Sequence, residues 1–225
     1  MTSNSRGSRA RHQRRRPSTQ AQRFQIRIFA EGKETEVGYI NHYFRRHRDQ
    51  VLVSVAEHQG SAPLTVVEAA VAERKYDLRE EKRRRGSAYD EYWCMVDVDE
   101  HYGLDDALQL AAANGVKVAL SSPCLEVWFL LHDRLQAAFL DGHAAQHESK
   151  KLLGCDKTLS DTALALLEEQ YETALANAKQ LDAKHRGDGT QKPWNPGSNV
   201  WELIETIRSA ASLPGSGVPF SAWHL

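Results

Sequence analysis

Between residues 24 and 120 the chain alternates short apolar runs with longer segments of helical spacing, and this alternation limits the fold more than any other feature. Residues 24–30, 51–55, 92–98 and 116–120 have the length and apolar content of strands. Between them, residues 35–46, the stretch opened by Pro63 and running to Arg85, and residues 104–113 carry apolar side chains at helical intervals. Strands that alternate with helices need crossover connections. The pattern therefore predicts parallel βαβ units, an α/β class with a Rossmann-like parallel sheet flanked by helices.

Past Ser121 the sequence offers no further convincing strand. Residues 125–132 read as a buried helix, 160–185 as one long helix and 186–198 as a loop rich in Gly and Pro. Asn199 followed by Glu202 has the spacing of a capping box opening a last helix. The expected division is a disordered basic tail over 1–22, an α/β domain over 23–135, and a helical C-terminal extension over 136–225 packing on that domain.

Charge separates the tail from the rest. The first 23 residues hold seven arginines and no acid, whereas the whole chain is at −1, so the remainder carries about −8. A body of that sign does not bind nucleic acid by charge alone; phosphate contact has to come from the tail, local patches or a bound cation. A hydrophobic fraction of 41% with 26% charged residues is that of a soluble globular chain. The longest uncharged apolar run, from Val127 to Leu131, is too short for a bilayer, and no apolar stretch follows the basic N-terminus as in a signal peptide. Cys94, Cys124 and Cys155 form no CxxC pair. The expected location is the cytoplasm, with no membrane association.

The acidic residues at the strand ends carry the chemistry. Glu31 follows the first strand directly, with Gly32 letting the chain turn into the helix. The third strand ends in Asp97-Val98-Asp99, and strand alternation puts both carboxylates on one face, roughly 6.6 Å apart. In a doubly wound sheet the first and third strands are neighbours, so Glu31 converges on the pair. Three such carboxylates repel one another unless a hard cation joins them, which points to Mg²⁺, or Mn²⁺ in its place. Such an ion suits phosphodiester cleavage.

Three segments together resemble the successive signatures of the RloB-like proteins: Glu31-Gly32 with Thr35-Glu36, then Asp97 to His101, then Ser122-Pro123-Cys124-Leu125-Glu126-Val127-Trp128 through Leu131-His132. A weaker echo lies at Asn195-Pro196-Gly197-Ser198-Asn199-Val200. Ser122 stands where that family often has Asn, and Leu125 where it has Phe. The resemblance implies a Toprim-like fold and a nuclease acting on tRNA or DNA as effector of a bacterial antiphage, or abortive-infection, system. It further implies an ATPase partner from the same locus, Glu31 as the Toprim glutamate in acid/base or metal work, and Asp97 and Asp99 as Mg²⁺ ligands. Oligomerisation is compatible with it.

Secondary candidates surround this set. Glu126 and His132 lie just past the fourth strand, as a further carboxylate and a proton donor titrating near neutrality, or else as buried structural groups. Lys33 is placed to contact a phosphate. The basic run Lys82 to Arg85 is a candidate nucleic-acid contact, and the loop with Lys184, His185, Arg186 and Lys192 a candidate phosphate clamp. His143 and His147 are four apart but lack the adjoining Glu of a zinc protease helix, and are expected on the surface. Two other function classes stay open. One is a non-catalytic metal-binding interaction subunit; the other is a phosphohydrolase, since the aspartate pair also resembles that of the haloacid-dehalogenase phosphatases, where it ends the first strand instead.

Overall fold

The four apolar runs form strands β1 (Phe24–Ala30), β2 (Val51–Val55), β3 (Glu91–Asp97) and β4 (Lys117–Ser122) in the computed structural model, which describes residues 23–57, 60, 62–98, 103–190 and 193–212. The expected tail over 1–22 and the candidates Asp99 and Lys192 lie outside the described residues. The intervening segments become α1 (Thr35–His47), α2 (Pro63–Lys82) and α3 (Leu104–Ala113). The strands lie in the order β2-β1-β3-β4 and all four run parallel.

Alternation sorts the strand residues onto two covered faces. Ile26, Ile28 and Ala30 share one face with Trp93, Met95 and Ala119, under α1 and the C-terminal helices. Phe29, Tyr92, Cys94 and Val96 share the other with Val66, Val67 and Ala70 of α2 and Ala107 and Ala111 of α3. Burial on both faces explains why the central strands read as near-continuous apolar runs. Pro63 opens α2 at its first turn, where the missing N–H costs nothing.

The C-terminal part comprises α4 (Glu126–Leu131), α5 (Gly142–Leu153), α6 (Asp161–Glu169), α7 (Tyr171–Gly187) and α8 (Val200–Ser212). Its buried residues, from Trp128 to Ile207, belong to the same apolar cluster as those of β1 and α1. Among the described residues no helix is long and apolar enough to cross a membrane.

Three expectations are corrected here. The expected helix over 160–185 is two helices meeting at Gln170, whose φ of −93° and ψ of 11° break the run. Buried positions Leu164, Leu167, Tyr171, Ala174 and Ala178 keep a three-to-four spacing across the junction, so apolar periodicity conceals the break. Helix α5 went unread because it buries only Ala145, Ser149 and Leu153; its marks are the Asp141 cap, accepting from Ala144 N–H at 2.8 Å, and Gly154 at φ 65°.

Third, there is a strand after Ser121. β5 (Gly197–Ser198) pairs antiparallel with β4, Ser121 facing Ser198 and Ser122 facing Gly197. Two residues are too few to show a period. Asn199 continues that edge with its side chain instead of closing a capping box: Oδ1 accepts from Leu120 N–H at 2.6 Å and the amide donates to Val118 O at 3.1 Å. The side-chain amide satisfies β4 backbone groups that no strand reaches.

Candidate functional site

The winding reverses between β1 and β3. The chain leaves β1 into α1 on one face and enters β3 from α2 on the other, so a crevice opens at the C-terminal ends of these two strands. Glu31 N–H still donates to Met95 O at 3.1 Å, which holds the residue against β3 as the strand ends. Its carboxylate turns back, and Oε2 accepts from Asp97 N–H at 3.2 Å. Glu31 and Asp97 are thus locked together by backbone before any ligand is considered.

Asp97 occupies the same sheet face as Trp93 and Met95 but lies past the apolar cover, where α1 and α4 begin. Glu36 comes from the first turn of α1 and accepts from Gly32 N–H at 3.0 Å. A Cβ at position 32 would meet the Glu36 carboxylate and oblige that side chain to move. Glu126 opens α4, reached from β4 through Ser122-Pro123-Cys124-Leu125.

These residues line one pocket of about 350 Å³ with Lys33, Glu34, Thr35, Leu125, Gln146 and Lys157. That volume suits a small molecule or one group of a larger ligand. Asp97 keeps some exposure through the opening, while its carboxyl group sits among protein atoms. Burial holds that carboxyl well above the usual carboxylate range, and repulsion from Glu36, Glu126 and Glu31 adds to the rise; the Leu125 N–H bonded to it pulls the other way.

Glu31, Lys33, Asp97 and Glu126 therefore meet at one place. Glu36, Gln146 and Lys157 meet them there and were not read as site residues. Glu36 lies in the segment that resembles the first family signature, but nothing in the sequence ties Gln146 or Lys157 to the end of β1, more than a hundred positions earlier.

His132 does not line the pocket. It is 2% exposed, edge-on to Trp128 at 4.8 Å, and its Nδ1–H donates to Trp128 O at 2.8 Å, leaving Nε2 buried with no hydrogen-bond partner. The expectation of a group titrating near neutrality is corrected: burial lowers the imidazole to about 4. The unfolded chain takes up this proton near pH 6.5, the folded one only near 4. Stability from this group is therefore complete above about pH 6.5 and is lost progressively as the pH falls towards 4. Urea unfolding of the wild type and His132→Leu at a series of pH values should give a stability difference that changes by roughly 3 kcal/mol across this window. A pH-independent difference would show that His132 is not held neutral.

The other basic candidates lie elsewhere. Arg83, Arg84 and Arg85 follow α2 and lead into the start of β3, which places them at the opposite edge of the sheet from the acids. Lys184, His185 and Arg186 belong to α7, where His185 is buried, its Nε2 bonded to Pro196 O at 2.8 Å and its ring stacked on Trp194. His143 and His147 are exposed on α5. The echo at Asn195 to Val200 is structural: Asn195 Oδ1 accepts from Leu140 N–H at 3.2 Å, and the following residues close the sheet edge.

Among the described residues no three His, Cys, Asp or Glu side chains are gathered tightly enough to hold a metal ion unaided. Mg²⁺ commonly takes only one or two protein carboxylates and keeps several waters, so the acidic donor set around Asp97 fits it. A family model described as RloB-like protein matches residues 26–207, a span that includes every pocket residue. No curated protein and no solved structure matches the chain.

Proposed function

Because the chain belongs to the RloB-like family, we propose that the pocket at the β1 and β3 ends is the active site of a Mg²⁺-dependent, Toprim-type nuclease. The observation that carries this reading is the gathering of Glu31 from the β1–α1 turn, Glu36 from α1 and Glu126 from α4 around Asp97 of β3, a carboxyl whose negative charge the fold disfavours. A fold does not assemble such repulsion without a use, and cation binding with phosphoryl chemistry is the use that oxygen ligands serve best. On the family resemblance, the enzyme acts as the effector of an antiphage system in concert with an ATPase.

Asp97 and Glu31 are the described residues that would hold the ion, with Asp99 beyond them on the chain and Glu126 as a further carboxylate. Bound Mg²⁺, or Mn²⁺, supplies charge stabilisation at the phosphoryl oxygens and acidifies water. Glu31, held by the Asp97 N–H, is oriented to take the proton from a water that attacks phosphorus as the P–O bond to the leaving sugar oxygen breaks. Lys33, exposed at the pocket rim, is placed to attract a phosphate oxygen.

The test incubates the full chain with tRNA, single-stranded DNA and duplex DNA, with and without Mg²⁺, and with and without an ATPase partner of the kind the family resemblance implies. The expected result is Mg²⁺-dependent cleavage that Glu31→Gln lowers about 10²- to 10⁴-fold. Undiminished cleavage by Glu31→Gln, or none of any substrate by the wild type, overturns the reading. Hydrolysis confined to small phosphomonoesters would make the protein a phosphohydrolase.

A further inference from the structure

The pocket has a wall that the sheet does not supply. The loop between α5 and α6 is stitched onto the β1–α1 turn by two hydrogen bonds: Thr35 Oγ1 donates to Lys157 O at 2.7 Å, and Thr158 Oγ1 donates to Glu34 Oε2 at 2.9 Å. Gly154, in the left-handed conformation, ends α5 and turns the chain into this loop, and Lys150 braces it through an ion pair with Asp156 at 2.7 Å. Two bonds between consecutive residues on each side fix both position and direction of the loop. The result is that Lys157, with Gln146 of α5, faces a pocket otherwise dominated by acids.

Lys157 forms no hydrogen bond with those acids, and the Asp156 charge beside it is met first by Lys150. It makes no ion pair among the described residues, Asp156 being paired with Lys150, and it is exposed at the rim, as is Lys33. A carboxylate floor with cations along its rim suits a ligand of repeated negative charge, in which one phosphate meets the floor together with its metal and the next lies against the rim. A duplex fits badly, because its second strand would bring further phosphates towards a body of about −8.

We propose that the α5–α6 loop is a substrate-recognition wall, and that Lys157 binds the backbone phosphate adjoining the scissile one in an unpaired nucleic-acid strand. The C-terminal helical region then selects substrate as well as completing the core. This deepens the nuclease reading and rests on it for the identity of the floor.

The test separates binding from cleavage. Full-length protein carrying Asp97→Asn is titrated with fluorescent single-stranded RNA and DNA 20-mers and with a hairpin duplex across a salt series, with Lys157→Ala, Lys157→Arg or, as a control at the opposite sheet edge, Lys82→Ala added. Lys157→Ala should weaken single-strand binding about five- to tenfold and lower the slope of log K against log salt by about 0.7, the loss of one phosphate contact. Lys157→Arg should recover most of both, and Lys82→Ala should change neither. On the background with Asp97 intact, Lys157→Ala should raise KM and leave kcat within about twofold, as for an interaction made equally before and during reaction.

Unchanged affinity and slope in Lys157→Ala, an equal effect from Lys82→Ala, or duplex binding as tight as single-strand binding overturns the proposal. Binding that depends on Lys157 in a protein that cleaves nothing would overturn the nuclease reading while leaving the wall in place. Binding of none of the strands at low salt overturns both.

Discussion

Replacing Asp97 by Asn is expected to abolish cleavage and to stabilise the protein, a combination that distinguishes a functional acid from a structural one. Asn is nearly isosteric, keeps an acceptor for the Leu125 N–H, and leaves the backbone N–H that holds Glu31. It removes a charge that burial and three neighbouring carboxylates oppose. Because the folded-state carboxyl lies above its unfolded value, ionised Asp97 costs stability at neutral pH, and the cost fades as the pH falls back through that interval. At pH 7 without Mg²⁺, Asp97→Asn should therefore melt several degrees above wild type, each kcal/mol being worth about 2–4 °C in a chain of this size. Mg²⁺ should raise the wild-type Tm and leave the variant nearly unmoved. Cleavage should fall by about 10³-fold or more, since the variant loses both a metal-binding oxygen and the charge that attracts the ion. A lower Tm would mean that the Asp97 charge supports the fold, and the site would lose its physical basis.

The largest stability effect is expected at Trp128. This indole is fully buried in α4, donates from Nε1 to the Tyr39 hydroxyl at 2.6 Å, and meets the rings of His132 and Tyr171 edge-on. Truncation to Ala leaves a large cavity between α1, α4 and α7 and takes the donor from a buried hydroxyl. The expected loss is about 3–5 kcal/mol, read as a lower urea midpoint with similar slope. Trp128→Phe should recover part of the packing and none of the hydrogen bond. Since α4 begins with Glu126, the Ala variant should also lower cleavage by whatever protein remains folded. A loss below 1 kcal/mol would show that this cluster is not the anchor of the helix.

The sheet was legible in the sequence because both faces of its central strands are buried, so apolar runs such as 24–30 and 92–98 mark the strands themselves. The neighbouring of β1 and β3 followed from the winding of α/β units, and with it the meeting of Glu31 and Asp97. What stayed hidden was settled by contacts distant in sequence. Lys157 reaches the pocket only because Thr35 and Thr158 pin its loop to the first turn, across more than 120 positions. His132 looks like a catalytic histidine beside Glu126, yet six residues along a helix carried it away from the strand ends and into the core. Asn199 has capping chemistry but meets the open edge of β4 before it can serve the helix that follows.

That last contact bears on how the chain comes together during synthesis. Strand β4 is complete by Ser122, but its outer edge waits for Ser198 and Asn199, and the apolar cluster beneath the sheet waits for Leu203, Ile204 and Ile207. Structure built on contacts between such distant residues forms slowly and late. On the ribosome, Glu31, Asp97 and Glu126 therefore emerge long before the framework that gathers them can close, and the pocket is among the last parts of the molecule to exist.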